Sequence, residues 1–386
     1  MPSDPHRRRL VELTERLVCL PILRGNEVIL VENGHHFVDR LIEDIAAARD
    51  HVHMLFYIFA DDAVGRRVAE ALGEAVARGV RCRLLVDAFG GRGLYRSLGA
   101  KLREKGVELH MILPLNPFRR HFTRLDLRNH RKLVVIDGRL AYTGSQNIED
   151  KPFDNGEARA WHDVMVRVLG PSVLQLQLVF MEDWYYTTGS ALTGENIFPV
   201  PYTNGDIALQ VMPSGPTDTD KPLRDLLIAA INWAHNSISI TTPYFIPDEA
   251  FLVALHLAAL RGVKVDLLIP RHADHPVVGS VARAYFNRLI DSGINIHFHE
   301  GLLHAKSLCI DDTVGVVGTA NFDRRSFYLH SELSLMLYSP EALSGLKALH
   351  ARYIAQSERI DAVRWNGRSR LKKTRDEVLK LLSPLL

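Results

Sequence analysis

Cysteine is scarce in this 386-residue chain, which has three, at Cys19, Cys82 and Cys309. They lie far apart and form no Cys-x-x-Cys pair, so the sequence argues against a disulfide framework and against a thiolate zinc site. The 18 histidines are scattered, without a third ligand at a recognisable spacing. We therefore predict neither a metal ion nor another cofactor.

The chain also lacks a large excess of either charge, because 47 Lys and Arg residues are balanced by 45 Asp and Glu residues, for a net charge of +2. This balance does not favour a protein that binds nucleic acid through a general basic surface. No apolar run approaches the roughly 18 residues of a membrane-spanning helix, and the polar N-terminal residues do not resemble a signal peptide. We expect a soluble or peripheral protein.

The sequence does contain an internal repeat with an offset of 174 residues. The pattern His-x-Lys-x4-Asp, followed closely by Gly-Ser/Thr-x-Asn, occurs twice. The first copy comprises His130, Lys132, Asp137, Ser145 and Asn147, and the second comprises His304, Lys306, Asp311, Thr319 and Asn321. Each copy follows an alternation of apolar strands and helical stretches.

This alternation predicts an α/β fold with a mixed, largely buried sheet. Because the whole pattern repeats, we predict two tandem α/β/α sandwich domains related by a pseudo-twofold axis. Proline, glycine and asparagine cluster near Pro199–Asn204, so the predicted domains are residues 1–203 and 204–386.

Each copy of the motif is typical of a β-hairpin. With two-residue turns at Asp137-Gly138 and Asp311-Asp312, the histidine of each motif lies opposite its hydroxyl residue, Ser145 or Thr319. Each hairpin then brings an imidazole, an ammonium, a hydroxyl and an amide to one place.

This set of groups suits a phosphodiester. Lysine supplies a point charge for phosphoryl oxygens, and the hydroxyl and amide groups supply further donors. An imidazole can attack phosphorus or move a proton near neutral pH. Two halves facing each other would therefore supply a nucleophile and an acid/base in opposite protonation states, without a metal ion.

Two intact copies of the motif make the sequence similar to the phospholipase D superfamily, and within it the sequence resembles bacterial cardiolipin synthases. The similar segments are Asn129–Asn147, Trp161-His162-Asp163, Gly170-Pro171, Ser214-Gly215-Pro216 and Thr242–Pro247. The resemblance implies two phospholipase D-like domains and a covalent phosphatidyl-histidine intermediate. It implies transfer of a phosphatidyl group between two phosphatidylglycerol molecules, giving cardiolipin and glycerol. His330 departs from the family, which more often has asparagine there.

The resemblance also implies roles for the repeated residues. We expect His130 and His304 to act as nucleophile and acid/base, in an order that the sequence leaves open. The paired residues Lys132 and Lys306, and Asn147 and Asn321, are expected to hold the phosphoryl oxygens, with Ser145 and Thr319 in support.

Carboxylates outside the two hairpins are candidates for orienting the imidazoles. We predict that Glu332 binds His304 through its second ring nitrogen, with Asp163 as the nearest counterpart in the first half. Asp137 and Asp311 belong to the catalytic motif, but their positions in the turns favour a structural role.

A basic and apolar segment precedes the first hairpin. It is typical of the interface of an anionic bilayer, and its candidate contact residues are Phe118, Arg119, Arg120, Phe122 and Arg124. We therefore expect a peripheral enzyme at the cytoplasmic face of the cell membrane, with phosphatidylglycerol as its lipid partner. The oligomeric state stays open.

Two other activities use the same residues. A phospholipase D would hydrolyse phospholipids to phosphatidic acid with water as the acceptor, and a superfamily nuclease would cleave nucleic acid. The near-neutral charge and the apolar residues beside the basic ones weigh against the nuclease. A non-catalytic lipid-binding protein would be expected to lack one of the two motifs.

Overall fold

The computed structural model describes residues 5–18, 20–32, 34–114, 124, 126–152, 160–194, 196–381 and 383. The first half contains α1 (Pro5–Leu17), β1 (Leu23–Val31), α2 (Gly34–Ala47), β2 (His51–Phe56), α3 (Ala63–Ala77), β3 (Arg81–Asp87), α4 (Arg92–Arg96), α5 (Leu98–Glu104), β4 (Glu108–Ile112), β5 (Arg128–Asn129), β6 (Leu133–Ile136), β7 (Leu140–Gly144), β8 (Trp161–His162), β9 (Met165–Leu169) and α6 (Ser172–Thr188).

The second half repeats most of this order. It contains β10 (Ile207–Ser214), α7 (Pro222–Asn232), β11 (Ser237–Thr241), β12 (Phe245–Ile246), α8 (Glu249–Leu260), β13 (Lys264–Pro270), α9 (Pro276–Asp291), β14 (Asn295–His299), β15 (Leu302–Leu303), β16 (Ser307–Ile310), β17 (Val314–Gly318), β18 (Phe322–Asp323), α10 (Arg324–Tyr328), β19 (His330–Leu337), α11 (Pro340–Ala355), β20 (Ser357–Arg359), α12 (Ala362–Asn366) and α13 (Arg370–Lys380).

Corresponding helices begin and end with the same local chemistry. Asp62 accepts a hydrogen bond from the backbone N–H of Gly65 at the start of α3, and Asp248 caps α8 through Phe251. Each helix is followed by a glycine with positive φ, Gly79 after α3 and the corresponding glycine after α8. The caps fix where the chain turns back into the next strand of the sheet.

One mixed sheet runs through both halves. Its order is β20-β14-β13-β11-β16-β17-β19-β10-β1-β9-β7-β6-β2-β3-β4. The outer strands β2, β3 and β4 are parallel, as are β11, β13 and β14, whereas the two halves join through antiparallel pairing of β1 with β10. The predicted boundary at residues 203 and 204 falls between α6 and β10.

Helices cover both faces of this sheet. One apolar cluster packs the first half beneath α2 and α3, and a second packs the second half beneath α7, α8 and α9. A third cluster lies on the opposite face under α6 and α11 and includes strand residues from both halves. The expected α/β/α layering is confirmed, and the shared third cluster holds the two halves against each other.

The hairpin register differs from the prediction. Leu133 pairs with Thr143 and Ser307 pairs with Val317, so each loop has three residues rather than two. Asp137 and Gly138 do adopt positive φ angles, but Arg139 joins the loop and the pairing slips by one residue. The predicted pairing of each histidine with Ser145 or Thr319 is therefore wrong.

Candidate active site

Two short parallel pairings bring the halves together at the site. β5 runs beside the start of β19, so His330 pairs with Arg128. β8 runs beside β15, so Trp161 pairs with Leu302. Each motif histidine follows one of these short strands directly, and so each is delivered to the junction between the halves.

His130 is held by the second half of the chain. Its backbone N–H donates to the carbonyl oxygen of Ser331 at 2.9 Å. Its Nδ1 lies 3.1 Å from both carboxylate oxygens of Glu332, which is fully buried. Because the carboxylate accepts from Nδ1–H, Nε2 keeps its lone pair and can face a substrate.

His304 is held in the same way by the first half. Its backbone N–H donates to the carbonyl oxygen of His162 at 2.9 Å. Its Nδ1 donates to Asp163 Oδ1 at 2.6 Å, and this carboxylate is 3% exposed. The same tautomer follows, with Nε2 available to a substrate.

These contacts correct the predicted pairing of histidines and carboxylates. Glu332 binds His130 rather than His304, and Asp163 binds His304 rather than a histidine of its own half. The reason is the cross-half pairing of β5 with β19 and of β8 with β15, which aligns each histidine with the strand that carries the other half's carboxylate.

The hydroxyl groups of the motif orient the carboxylates. Ser145 Oγ donates to Asp163 Oδ1 at 2.6 Å, and Thr319 Oγ1 donates to Glu332 Oε2. Each hydroxyl also accepts a backbone N–H, from Val164 at 2.8 Å in the first case. A hydroxyl, a carboxylate and an imidazole therefore form one chain of hydrogen bonds on each side, and each chain crosses between the halves.

The glycine before each hydroxyl residue allows the hairpin to lie close to the backbone of the neighbouring strand. A Cβ on Gly144 would lie 2.3 Å from the carbonyl oxygen of Val164, and a Cβ on Gly318 would lie 2.3 Å from that of Leu333. Any side chain would separate the hairpin from the strand beside it.

The two motif lysines lie within the site and are buried. Lys132 Nζ donates to the carbonyl oxygen of His130 at 2.9 Å, and Lys306 Nζ donates to that of His304 at 2.5 Å. Burial lowers the pKa of Lys132 to about 8 and that of Lys306 to about 7. An anionic phosphate in the site would oppose this shift and keep both ammonium groups charged.

Both histidines and both motif asparagines line one cleft, with a volume of about 560 Å³. Asn147 Oδ1 accepts from the backbone N–H of Ile58 at 3.3 Å, which fixes its amide. Within the described ranges, Oδ1 of Asn321 is buried without a hydrogen-bond partner. The cleft is large enough for a phosphate group with part of its substituents.

Burial lowers the pKa of His130 to about 3 and also lowers the pKa of His304. Burial opposes the ionisation of the partner carboxylates, but their contacts with the imidazoles outweigh it, and the pKa of Asp163 falls to about 2. Without substrate, burial thus favours the neutral form of both rings.

Asp137 and Asp311 lie away from the imidazoles. Asp137 accepts the backbone N–H groups of Arg49, Asp50 and His51, and Asp311 accepts those of residues 235–237. Each aspartate lies seven positions after its histidine, which in extended chain is a span of roughly 20 Å. These carboxylates tie each hairpin to the loop that enters β2 or β11.

His330, which sequence reasoning assigned no role, completes a cluster with His130 and Glu332. Ligand atoms of the three lie within 4.8 Å of one another, a spacing that a metal ion could use. However, Arg325 Nε donates to His330 Nε2 at 3.2 Å. The proton of the neutral ring is then on Nδ1, which leaves that atom no lone pair for a metal ion.

The predicted membrane-contact residues Phe118, Arg119, Arg120 and Phe122 lie outside the described residues. Arg124 is described, and it forms an exposed ion pair with Asp126 at 2.6 Å. None of the helices that the structure describes is long and apolar enough to cross a bilayer.

Comparisons with known proteins show which proteins the chain resembles. A family model described as "Cardiolipin synthase, PLD-like domain" matches residues 41–184 and 227–353. Cardiolipin synthase A of Yersinia pseudotuberculosis serotype O:1b (strain IP 31758) is 36% identical over 98% of this chain and 79% of its own length. Cardiolipin synthase A of Yersinia pestis bv. Antiqua (strain Angola) matches with the same identity and coverage.

Among solved structures, a phosphatidylserine synthase of Haemophilus influenzae Rd KW20 matches with a TM-score of 0.74 over 98% of both chains at 13% identity. A polyphosphate kinase of Porphyromonas gingivalis matches with a TM-score of 0.59 over 94% of this chain and 53% of its own, at 14% identity. At such identities these structures show the fold alone.

The fold, the paired His-Lys motifs and these relatives define a phosphatidyltransferase of the phospholipase D type. Within that class, the chain belongs to the cardiolipin synthase family. The family and fold class expected from the sequence are thereby confirmed.

Proposed function

We propose that this enzyme transfers the phosphatidyl group of one phosphatidylglycerol to a hydroxyl of a second, forming cardiolipin and releasing glycerol. One observation carries the proposal. His130 and His304 come from different halves, line the same cleft, and are each held in one tautomer by a buried carboxylate. Two such imidazoles can act on one phosphorus atom from opposite sides.

In the first step, one imidazole attacks phosphorus and forms a P–N bond while the bond from phosphorus to the glycerol oxygen breaks. The other imidazole, protonated once the anionic substrate is bound, gives its proton to that oxygen. In the second step, the acceptor hydroxyl returns a proton to this imidazole as its oxygen forms a P–O bond and the P–N bond breaks. The number of phosphodiester bonds is unchanged, so the reaction needs no other reactant.

The remaining motif residues would stabilise charge on the phosphoryl oxygens. Lys132 and Lys306 donate to the backbone carbonyl oxygens of the two motif histidines, one in each half, and Asn147 and Asn321 line the cleft. Such preorganised charges and donors are the main source of rate enhancement in phosphoryl transfer. Ser145 and Thr319 act through the carboxylates rather than on the substrate.

The test is to supply purified protein with phosphatidylglycerol vesicles and to separate the lipid products. Cardiolipin and glycerol should form in equal amounts, and His130→Asn and His304→Asn should each abolish both. His297→Asn is a matched control, because His297 is also buried and bound to a carboxylate, Asp266, at 2.9 Å, but does not line the cleft. Phosphatidic acid without cardiolipin would instead show a hydrolytic phospholipase D.

We further propose that the enzyme binds the surface of an anionic membrane at its cytoplasmic face. Apolar side chains support this, because Phe89 is 64% exposed just after β3, and Val277 is 48% exposed beside cleft residues His275 and Val278. Exposed apolar groups near the entrance of a lipid site favour interfacial binding. The described cysteines, Cys82 and Cys309, are free thiols, as expected in a reducing compartment.

Vesicle flotation tests the membrane proposal. Reversing the charges of Arg119, Arg120 and Arg124 together should weaken binding to phosphatidylglycerol vesicles, and Phe89→Ser should weaken it further. Binding to neutral phosphatidylcholine vesicles should change little on charge reversal. Unchanged binding of the triple variant to anionic vesicles would contradict the assigned segment.

A further inference from the structure

His130 follows β5, a strand of two residues that is held on both sides. On one side β5 pairs with β19, and the backbone N–H of His130 donates to the carbonyl oxygen of Ser331 at 2.9 Å. The N–H of Asn129 leaves the strand on the other side, because successive N–H groups of a strand point in opposite directions. It donates to Oδ2 of Asp87 at 3.0 Å. Asp87 thus takes the place of a neighbouring strand on the second side of β5.

An arginine of β5 reinforces this attachment. Nη1 of Arg128 donates to Oδ1 of Asp87 at 3.3 Å and to the carbonyl oxygen of Leu113, just after β4, at 3.5 Å. The side chain of Asp87 is fully buried and that of Arg128 is 4% exposed. Leu113 has a φ of 51°, in the left-handed region that residues other than glycine rarely adopt. Asp87 and Arg128 therefore connect β5 with the ends of β3 and β4.

The carboxylate of Asp87 is itself held by the loop that follows β3. Its Oδ1 accepts the backbone N–H of Phe89 at 2.8 Å. The same loop packs against the backbone of Tyr57, a cleft residue, because a Cβ on Gly90 would lie 2.2 Å from the carbonyl oxygen of Tyr57. The ring of Tyr57 lies 4.9 Å from that of His130. Asp87 is therefore fixed against a loop that packs beside the catalytic imidazole.

Burial of this ion pair argues for a role in geometry rather than in net stability. Burial raises the pKa of Asp87, although its contacts with Arg128 and with backbone N–H groups oppose the shift. A buried ion pair often stabilises a protein no more than apolar side chains of similar volume would, but it can fix the groups that it joins in one arrangement. Here it joins β5 to the loop that follows β3, directly before the catalytic imidazole.

The second half is built differently at the corresponding place. Pro270 ends β13 where Asp87 ends β3, and Leu302 occupies the position of Arg128, 174 residues later. Proline and leucine side chains carry no charge, so these two positions cannot form an ion pair. A change at Asp87 should therefore affect the imidazole of His130 and leave that of the second half unchanged.

We propose that Asp87, bound to Arg128, is a positioning residue of the phosphatidyl transfer, which holds β5 so that the imidazole of His130 is aligned with the substrate phosphorus. Neither Asp87 nor Arg128 is among the described residues that line the cleft, so the pair acts through His130 rather than on the lipid. The proposal rests on the proposed role of His130 and adds the contact that places its ring. A misplacement of about 1 Å can cost roughly a hundredfold in rate.

The first test is kinetic and compares Asp87→Asn with the wild type. Exchange of labelled glycerol into phosphatidylglycerol in mixed micelles gives kcat and KM. A positioning role predicts that kcat falls about tenfold to a hundredfold while KM for phosphatidylglycerol stays unchanged, because alignment of the imidazole matters in the transition state. Arg128→Lys, which keeps the charge but not the planar fork, should cause a smaller loss of the same kind.

The second test observes the imidazoles directly and needs no substrate. In protein with isotope-labelled histidine, the NMR signal of each Cε1–H group reports the surroundings of its ring, and His130→Asn and His304→Asn identify the two signals of interest. Asp87→Asn should shift the signal of His130 and leave that of His304 in place. Arg128→Lys should shift the His130 signal less.

Asp44→Asn is the matched control. Asp44 lies in the same half and accepts two hydrogen bonds from Arg167, both at 3.0 Å, but it does not line the cleft. This variant should lose stability and keep kcat and both NMR signals. If it lowers kcat as much as Asp87→Asn does, the proposal is overturned.

The proposal is also overturned if folded Asp87→Asn keeps the wild-type kcat and the wild-type His130 signal. If Asp87→Asn does not fold, Arg128→Lys decides by the same two measurements. Wild-type protein that only hydrolyses phosphatidylglycerol would refute the proposed function. The NMR signal of His130 and the rate of hydrolysis would then decide on Asp87 alone.

Discussion

Replacing Asp163 by asparagine alters a residue of the first half of the chain and should impair catalysis by His304, which belongs to the second half. Asp163 Oδ1 accepts from His304 Nδ1 and from Ser145 Oγ, both at 2.6 Å, and the side chain is 3% exposed. Asparagine keeps the shape of the side chain and can still accept one of these bonds. It loses the negative charge that would stabilise a protonated His304.

The size of the effect follows from this exchange of a charged acceptor for a neutral one. A hydrogen bond to a charged group contributes about 1.5–3 kcal/mol and a neutral one about 0.5–1.5 kcal/mol. Adding the lost stabilisation of imidazolium, we expect the barrier to rise by about 1.4–2.8 kcal/mol, which is a rate loss of about tenfold to a hundredfold. The rate of labelled glycerol exchange into phosphatidylglycerol measures it.

Asp266→Asn is the matched control for this variant. Asp266 is also buried and also binds a histidine, His297, at 2.9 Å, but neither residue lines the cleft. The Asp266→Asn variant should be less stable but should keep its exchange activity when it is assayed well below its unfolding temperature. A normal rate in Asp163→Asn, or an equal loss in Asp266→Asn, would refute the crossed pairing as a catalytic feature.

Three further predictions concern stability. Asp137→Ala leaves three backbone N–H groups without their acceptor and should lower the free energy of unfolding by roughly 1–3 kcal/mol in urea titrations; a stable but inactive variant would contradict its structural role. Gly318→Ala places a Cβ 2.3 Å from a backbone carbonyl oxygen of β19 and should lower both Tm and activity, whereas Gly345→Ala, with its nearest contact at 3.7 Å, should not. Burial lowers the pKa of His53 well below 6.5 and that of His350 to about 4. The unfolded chain therefore binds more protons below pH 6.5, so stability should fall as the pH drops from 8 to 5, and equal urea midpoints would contradict this.

Much of the fold could be predicted because the second copy of the repeat is an independent check on the elements predicted from the first copy. A strand, helix and hairpin pattern that recurs with one offset implies two similar halves, and the parallel strands β2, β3 and β4 have the expected counterparts β11, β13 and β14. The joining of the halves into one sheet could not be predicted. Pairing of β1 with β10 depends on tertiary packing between distant segments, which no local pattern records.

The residues of the site were predictable, but their partners were not. His130, His304, Glu332 and Asp163 were all identified as candidates from their positions along the chain. The natural assumption was that a carboxylate binds the histidine of its own half. The two-residue strands β5, β8 and β15 reverse this assignment, and strands so short have no recognisable periodicity.

The hairpin register was missed for a local reason. Asp-Gly favours a two-residue turn, and the positive φ angles of Asp137 and Gly138 agree with that preference. Yet Asp137 is also bonded to three backbone N–H groups at the start of β2, and the loop has three residues. The three-residue loop therefore occurs together with hydrogen bonds to a loop that is distant in the sequence, and the local sequence does not specify these bonds.

The central claim is that two imidazoles from different halves act on one phosphorus atom. The most direct measurement is to mix the enzyme with phosphatidylglycerol labelled at phosphorus, stop the reaction within a turnover, and map the label by peptide. We predict label on a single histidine, either His130 or His304, and its loss when that histidine is replaced by asparagine. Label on neither histidine, in protein that still forms cardiolipin, would contradict the account.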